Sequence, residues 1–201
     1  MQNFKLLESG VDVEVLLQEL NRDPALWYAD ETRQRTAVSQ RETSAIPLRG
    51  FSGKPTKAAG QLPHISAWID DFARRHSASV ARVALARLAP HKRVYPHVDT
   101  LRGDGRASKN TYYDYRDRIH LVLQSDAGSW LRCGSEQVHM RTGEIWWFDN
   151  KKTHEAYNGS SRDRIHLIVD IRNLRSIVRG LNRNLVSRLQ GLGPKAINLT
   201  E

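Results

Sequence analysis

The sequence predicts a mainly β chain with flanking α-helices, and three observations carry that reading. Seven short strand candidates, VARVALARL, RVYPHV, RIHLVLQ, SWLRC, EQVHM, EIWWFD and DRIHLIVD, follow one another after Ser79 with turn signals between them. Segments so short and closely spaced belong to an all-β sandwich or barrel. Two of them alternate apolar with polar residues, and apolar residues at helical spacing occur before and after the block rather than within it. A chain of 201 residues has room for one substantial core. Residues 1–201 are therefore read as a single domain: a helical lead-in and first strand over 1–78, the β core over 79–172, and a basic amphipathic helix over 173–201.

Taken in order, Val11, Val13, Leu16, Leu17 and Leu20 have the spacing of a helix near 10–21 that ends before Pro24. Residues 30–57 are polar and broken by Pro47, Gly50, Gly53 and Pro55, which predicts loops around a short strand, Ala45–Leu48. A second helix is expected over Pro63–His76, with Ile65, Trp68, Ile69 and Phe72 on one side. In 118–124, Ile119, Leu121 and Leu123 point one way and Arg118, His120, Val122 and Gln124 the other. In 164–170, Arg164, His166, Ile168 and Asp170 share a face opposite Ile165, Leu167 and Val169. Leu174, Ile177, Val178, Leu181, Leu185 and Leu189 then follow helical spacing, which predicts a helix packed on the sheet by its apolar side, with the arginines outward.

The formal charge of +9, from 31 basic against 22 acidic residues, favours acidic partners, whether nucleic acid or an anionic small molecule. No apolar run is long enough for a membrane span, and MQNFKLLESG lacks the layout of a signal peptide, so a soluble, cytoplasmic protein is expected. The single cysteine, Cys133, excludes an internal disulfide and multi-cysteine zinc or iron–sulfur sites. Any metal must be held by His, Asp or Glu.

His97-Val98-Asp99 supplies a starting point. Side chains two apart on an extended segment fall on one side, about 6.5–7 Å apart at the backbone, so an imidazole and a carboxylate can converge on one ion. His154, just past EIWWFDNKKT, closes the triangle from a neighbouring strand. Two His and one carboxylate on one face of an octahedron leave three positions open, the arrangement that suits Fe(II) with a bidentate keto acid and O2, whereas zinc prefers a tetrahedral site. The inward Arg and His of the two DRIHL strands need a compensating charge if they face a core, and a bound dianion would supply it.

The motifs YPHVD, RIHLVL and WWFDNKKTHEAYNGSSRDRIHLIVD resemble the aspartyl/asparaginyl β-hydroxylase family of Fe(II)/2-oxoglutarate-dependent oxygenases over about Val83–Arg172. DPALWYADETRQR and TSAIPLRG resemble the lead-in of its small bacterial, proline-hydroxylase-like members. The resemblance implies a double-stranded β-helix (jelly-roll, cupin-like) core and the cofactors Fe(II), 2-oxoglutarate and O2. It implies hydroxylation of an unactivated C–H in an amino acid, a peptidyl residue or a related natural-product intermediate, releasing succinate and CO2. By position, His97, Asp99 and His154 would hold iron and Arg164 the distal carboxylate of 2-oxoglutarate. His120 would help hold that cosubstrate, and Arg118 would touch it or an acidic group of the substrate. Where such members place a Ser beside the cosubstrate carboxylate this chain has Ala86, which brings His166 forward as a substitute. Asp99 keeps the full triad and argues against halogenation.

The polar segment 100–117 reads as a lid over the site, with Arg102, Arg106 and Tyr113 as substrate contacts. Arg164, Arg118 and two inward histidines outnumber what one 2-oxoglutarate needs, so the substrate, a small molecule or peptide, is expected to be anionic. Asp114, Asp117 or Glu144 are the groups that would neutralise these cations within the protein instead. Trp146 and Trp147 are expected in the barrel wall, and His64, His76, His91 and His139 outside the site. The competing function class is a basic nucleic-acid or acidic-partner binding module on a cupin-like barrel with a vestigial iron site. The intact triad with its Arg favours the enzyme and makes nucleic acid an unexpected partner.

Overall fold

The computed structural model describes residues 3–29, 37–99 and 115–191. Ten strands lie among them: β1 (Phe4–Glu8), β2 (Thr43–Arg49), β3 (Ser79–Leu88), β4 (Arg93–His97), β5 (Asp117–Gln124), β6 (Ser129–Cys133), β7 (Glu136–Val138), β8 (Ile145–Phe148), β9 (His154–Asn158) and β10 (Arg164–Arg172). The helices are α1 (Glu14–Asn21), α2 (Lys57–Gln61), α3 (Pro63–Arg75) and α4 (Leu174–Gly191), with 3-10 turns at Pro24–Tyr28 and Val38–Gln40. A six-stranded sheet in the order β1-β8-β5-β10-β3-β2 faces a four-stranded sheet in the order β4-β9-β6-β7, and every pairing is antiparallel. This is the jelly-roll expected from the sequence.

Alternation along β3, β5 and β10 gives the large sheet two unlike faces. Its outer face carries Leu85, Leu121 and Leu167, all fully buried, against α1 and α3, whose Leu16, Leu20, Ile65, Ile69 and Phe72 complete the main core. Each such aliphatic side chain contributes about 1.5–3 kcal/mol on burial. The inner face shares a second, smaller core with the four-stranded sheet, built on Phe4, Val122, Leu131, Cys133, Met140, Phe148 and Ala156. The polar residues of β5 and β10 lie beside this smaller core.

Several expectations are corrected. The first helix begins at Glu14 rather than near residue 10, because Val11 donates its N–H to the Gly143 carbonyl (2.9 Å) and is held in a loop. Gly143 is at φ +78°, and a Cβ there would lie 2.7 Å from the Val11 oxygen, so this contact requires glycine. β1 forms a strand where none was expected, β9 is the neighbouring strand expected to carry His154, and β2 is longer than Ala45–Leu48. α4 spans the expected residues but is turned over. Arg179 pairs with Asp117 and lies on Trp147, Arg183 lies 3.6 Å from Asp149, and Ser176 is buried, while Leu174, Val178, Leu181 and Leu185 are exposed. Among the described residues no helix is long and apolar enough to cross a membrane.

Pro63 begins α3, and no side chain of its own first turn caps it. The capping group comes from α1: buried Glu19 accepts from the N–H groups of His64 and Ile65, both at 2.9 Å, and lies 2.8 Å from His64 Nδ1. A carboxylate at a helix N-terminus satisfies orphan donors and complements the helix dipole. Glu19→Ala should therefore cost about 1–3 kcal/mol, read as a lower urea midpoint with an unchanged denaturant slope. His64→Ala, on a half-exposed partner, should cost less.

Candidate metal centre and adjoining pocket

The site is built where β4 ends and β9 begins. Their register sets His97 opposite His154, with ring centroids 4.3 Å apart. The chain turns after β4, and the Asp99 N–H donates to Asn150 O at 3.3 Å, which brings the carboxylate back over the two rings. One ligand atom from each of His97, Asp99 and His154 lies within 4.8 Å of the other two.

Backbone carbonyls set the tautomers. His97 Nδ1 lies 2.8 Å from Tyr95 O and His154 Nδ1 lies 2.9 Å from Lys152 O. A carbonyl only accepts, so both rings carry hydrogen on Nδ1 and present Nε2 lone pairs, the arrangement in which imidazole ligands are usually oriented. Burial pushes His154 down to about 4, which keeps it neutral at pH 7. Burial alone would raise Asp99, but the Arg118 guanidinium and other neighbours, the Asn150 amide among them, outweigh it and hold the carboxyl well below its usual range. Two neutral nitrogens and a carboxylate oxygen are a donor set that fits Fe(II).

An open cleft adjoins these groups. Arg164 projects into it from β10, buried, with Nη2 making no hydrogen bond and no carboxylate partner among the described residues. Burial lowers it to about 10, still a cation at neutral pH. His166 and His120, from β10 and β5, meet through their Nδ1 atoms at 3.1 Å, and both Nε2 atoms are buried without partners. Burial first and Arg164 second push both rings well below the usual histidine range. Two neutral rings can make this contact if one donates from Nδ1 and the other accepts; the accepting ring then offers Nε2–H to the cleft. Ala86 sits between Ala45 and His166 in the sheet and contributes no polar group.

Arg118 is placed differently from a free substrate receptor. Its Nε and Nη2 bond the two oxygens of Asp170 at 2.9 and 3.1 Å, and its Nη1 bonds Asp99 Oδ2 at 2.5 Å. Of the neutralising groups expected from the sequence, Asp117 instead serves Arg179 and the Trp147 indole, and Glu144 accepts from the Trp146 indole. Asp114 lies outside the described residues, as do Arg102, Arg106 and Tyr113. Both tryptophans sit in β8, in the wall. His64 and His76 pair with Glu19 and Glu8, away from the cleft.

Sequence reasoning gave no role to Asp170, Asn150, Gln40 or Thr43. Gln40 Nε2 lies 3.3 Å from His97 Nε2, and Thr43 lines the cleft with a buried, partnerless hydroxyl. Asp170 carried a signal, an acid on the inward face of the strand beside Arg118. Gln40 and Thr43, in a stretch that reads as loop, carried none.

A jelly-roll with a two-histidine, one-carboxylate group beside its inter-sheet cleft is an arrangement able to hold a non-heme metal ion. Residues 13–173 match the profile of the aspartyl/asparaginyl β-hydroxylases, and the chain belongs to that family. It is 30% identical over 124 residues to L-proline cis-3-hydroxylase 1 of Streptomyces sp, covering 62% of this chain and 40% of that protein. It is 25% identical over 144 residues to L-proline cis-4-hydroxylase of Rhizobium meliloti (strain 1021), covering 72% and 47%. The chain thus spans less than half the length of these curated relatives. In fold it resembles the viral collagen prolyl hydroxylase of Paramecium bursaria Chlorella virus-1, solved with 2-oxoglutarate, at TM-score 0.52 and 12% identity over 86% of this chain and 97% of that one. A non-heme monooxygenase in its nickel complex gives TM-score 0.51 at 14% identity over 85% and 74%.

The buried histidine pair makes stability depend on pH. Both native pKa values lie below the unfolded value of about 6.5, so at lower pH the unfolded chain takes up protons that the native state refuses. Stability should be fully present above about pH 6.5 and fall below it, by at most about 1.4 kcal/mol per pH unit for each ring. Urea titrations at pH 7 and pH 5 should show this loss, and it should be smaller in His166→Asn than in the unaltered protein.

Proposed function

We propose that the protein is an Fe(II)- and 2-oxoglutarate-dependent dioxygenase that hydroxylates an unactivated C–H of an amino acid, a peptidyl residue or a related small molecule, releasing succinate and CO2. The observation that carries this reading is Arg164: a buried guanidinium facing the cleft, with no carboxylate partner among the described residues, beside a two-histidine, one-carboxylate group. A cation buried alone is costly and calls for an anion from outside. A planar carboxylate matches its paired donors.

His97, Asp99 and His154 would hold the iron, whose open positions supply keto-acid chelation and O2 activation. Arg164 would fix the distal carboxylate of 2-oxoglutarate, with a hydrogen from the His120–His166 pair as further support. Phe148, Leu131 and Ile168 line the same cleft and would exclude water from the reacting carbon. The named relatives are proline hydroxylases, which supports a free amino or imino acid as the substrate class. The expected anionic substrate no longer rests on Arg118, which is committed to two carboxylates, and falls to Arg102, Arg106 and Tyr113. The binding-module alternative gains no support from a cleft whose unpaired cation faces inward rather than toward solvent.

Protein supplied with Fe(II), 2-oxoglutarate and a panel of amino acids including L-proline should release succinate and give a product heavier by one oxygen. His154→Ala should abolish both. Arg164→Ala should raise the 2-oxoglutarate requirement roughly ten- to a hundredfold, the equivalent of about 1.5–3 kcal/mol for a charged hydrogen bond. An Arg164→Ala protein with an unaltered requirement would remove the cosubstrate assignment.

A further inference from the structure

We infer that Asp170, acting through Arg118 and together with Asn150, forms a clamp on Asp99 that fixes which carboxylate oxygen is turned toward the two histidines. The inference rests on the reading of His97, Asp99 and His154 as the metal group. Two donors converge on the same carboxylate oxygen: Arg118 Nη1 at 2.5 Å and Asn150 Nδ2 at 2.6 Å from Asp99 Oδ2. A carboxylate oxygen accepts about two such bonds, so Oδ2 is fully used. Oδ1 is left facing the histidines, 3.7 Å from His97 Nε2.

This distribution matters for the metal group: with Oδ2 engaged by Arg118 and Asn150, Oδ1 is the oxygen that Asp99 would offer beside the two histidine Nε2 atoms.

Arg118 can do this because Asp170 holds it. The register of β5 with β10 sets Arg118 opposite Asp170. Both oxygens of Asp170 grip Nε and Nη2, which fixes the guanidinium plane and aims Nη1 at Asp99. The three side chains are at most 6% exposed, so their charges act on one another with little screening from water. Lysine has no second arm with which to be anchored and to donate at once. Asp170 is thus a positioning residue that acts on the metal group through Arg118.

The test is titration of the full chain with Co(II), a redox-stable probe, followed by 2-oxoglutarate titration at saturating Co(II). Asp170→Asn keeps the shape and removes the charge; it should weaken Co(II) binding about ten- to a hundredfold, the usual range for groups that orient metal ligands. It should also weaken 2-oxoglutarate binding and change the visible Co(II) spectrum, because Asp99 Oδ2 would lose its fixed Arg118 donor. In an Asp99→Asn background the same substitution should have no further effect on Co(II) affinity, a non-additivity that a merely structural role would not produce. Asn150→Ser gives a second route should Asp170→Asn fail to fold, with a several-fold loss of Co(II) affinity expected. A folded Asp170→Asn or Asn150→Ser protein with the parental affinity and spectrum overturns the clamp alone. Failure of the parental protein to bind Co(II) overturns the metal-site reading and the clamp with it.

Discussion

The antiparallel register between β5 and β10 places Asp170 opposite Arg118 and Ile168 opposite His120. Outward, the same pairing sets Leu167 against Leu121 and Val169 against Ile119, the centre of the main core. One ladder of backbone hydrogen bonds therefore aligns both the apolar contacts that hold the helices and the polar contacts that shape the site. A slip of one residue would exchange the two faces, sending arginine and histidine under α1 and α3. Such a slip would bury unpaired charge and expose leucine together, so stability and site geometry are specified by the same choice.

Much of this was legible because alternation is a strong physical signal. Ile119, Leu121 and Leu123 against Arg118, His120 and Val122 define a strand with two unlike faces whatever surrounds it. β9 was legible only as the strand needed to carry His154, for the same reason inverted: its inward residues, His154, Ala156 and Asn158, are small or polar and carry no hydrophobic rhythm. The direction of α4 also could not be read. Periodicity shows that leucines and arginines occupy different sides, but not which side docks; Asp117, Asp149 and the Trp147 face draw the arginines inward. The partner of Arg118 depended on cross-strand register, which the pattern of either strand taken singly does not contain.

Polar groups of the inner layer are arranged in two different ways. Around Asp99 they satisfy one another, Arg118 bridging Asp99 and Asp170 while Asn150 donates to Asp99. Around Arg164 they do not: the guanidinium Nη2, the histidine Nε2 atoms and the Thr43 hydroxyl are left without partners among the described residues. The charges of the first group are paired within the protein, and only the Asn150 Oδ1 is left buried without a partner among the described residues. The second is incomplete, and a folded chain keeps such a cluster only at a cost that a ligand can offset.

Cys133 shows what this layering does to a reactive group. It lies across from His154 in the β6–β9 ladder, fully buried, with its thiol directed at the Asp149 carbonyl and burial pushing it up to about 11. A thiol one strand from the proposed metal centre would be exposed to any oxidant formed there, yet one that stays protonated and sealed reacts slowly. The only sulfhydryl of the chain is thereby a native gauge. Its capture by an alkylating reagent times the opening of the small sheet beside His154, and so records how often this part of the barrel breathes.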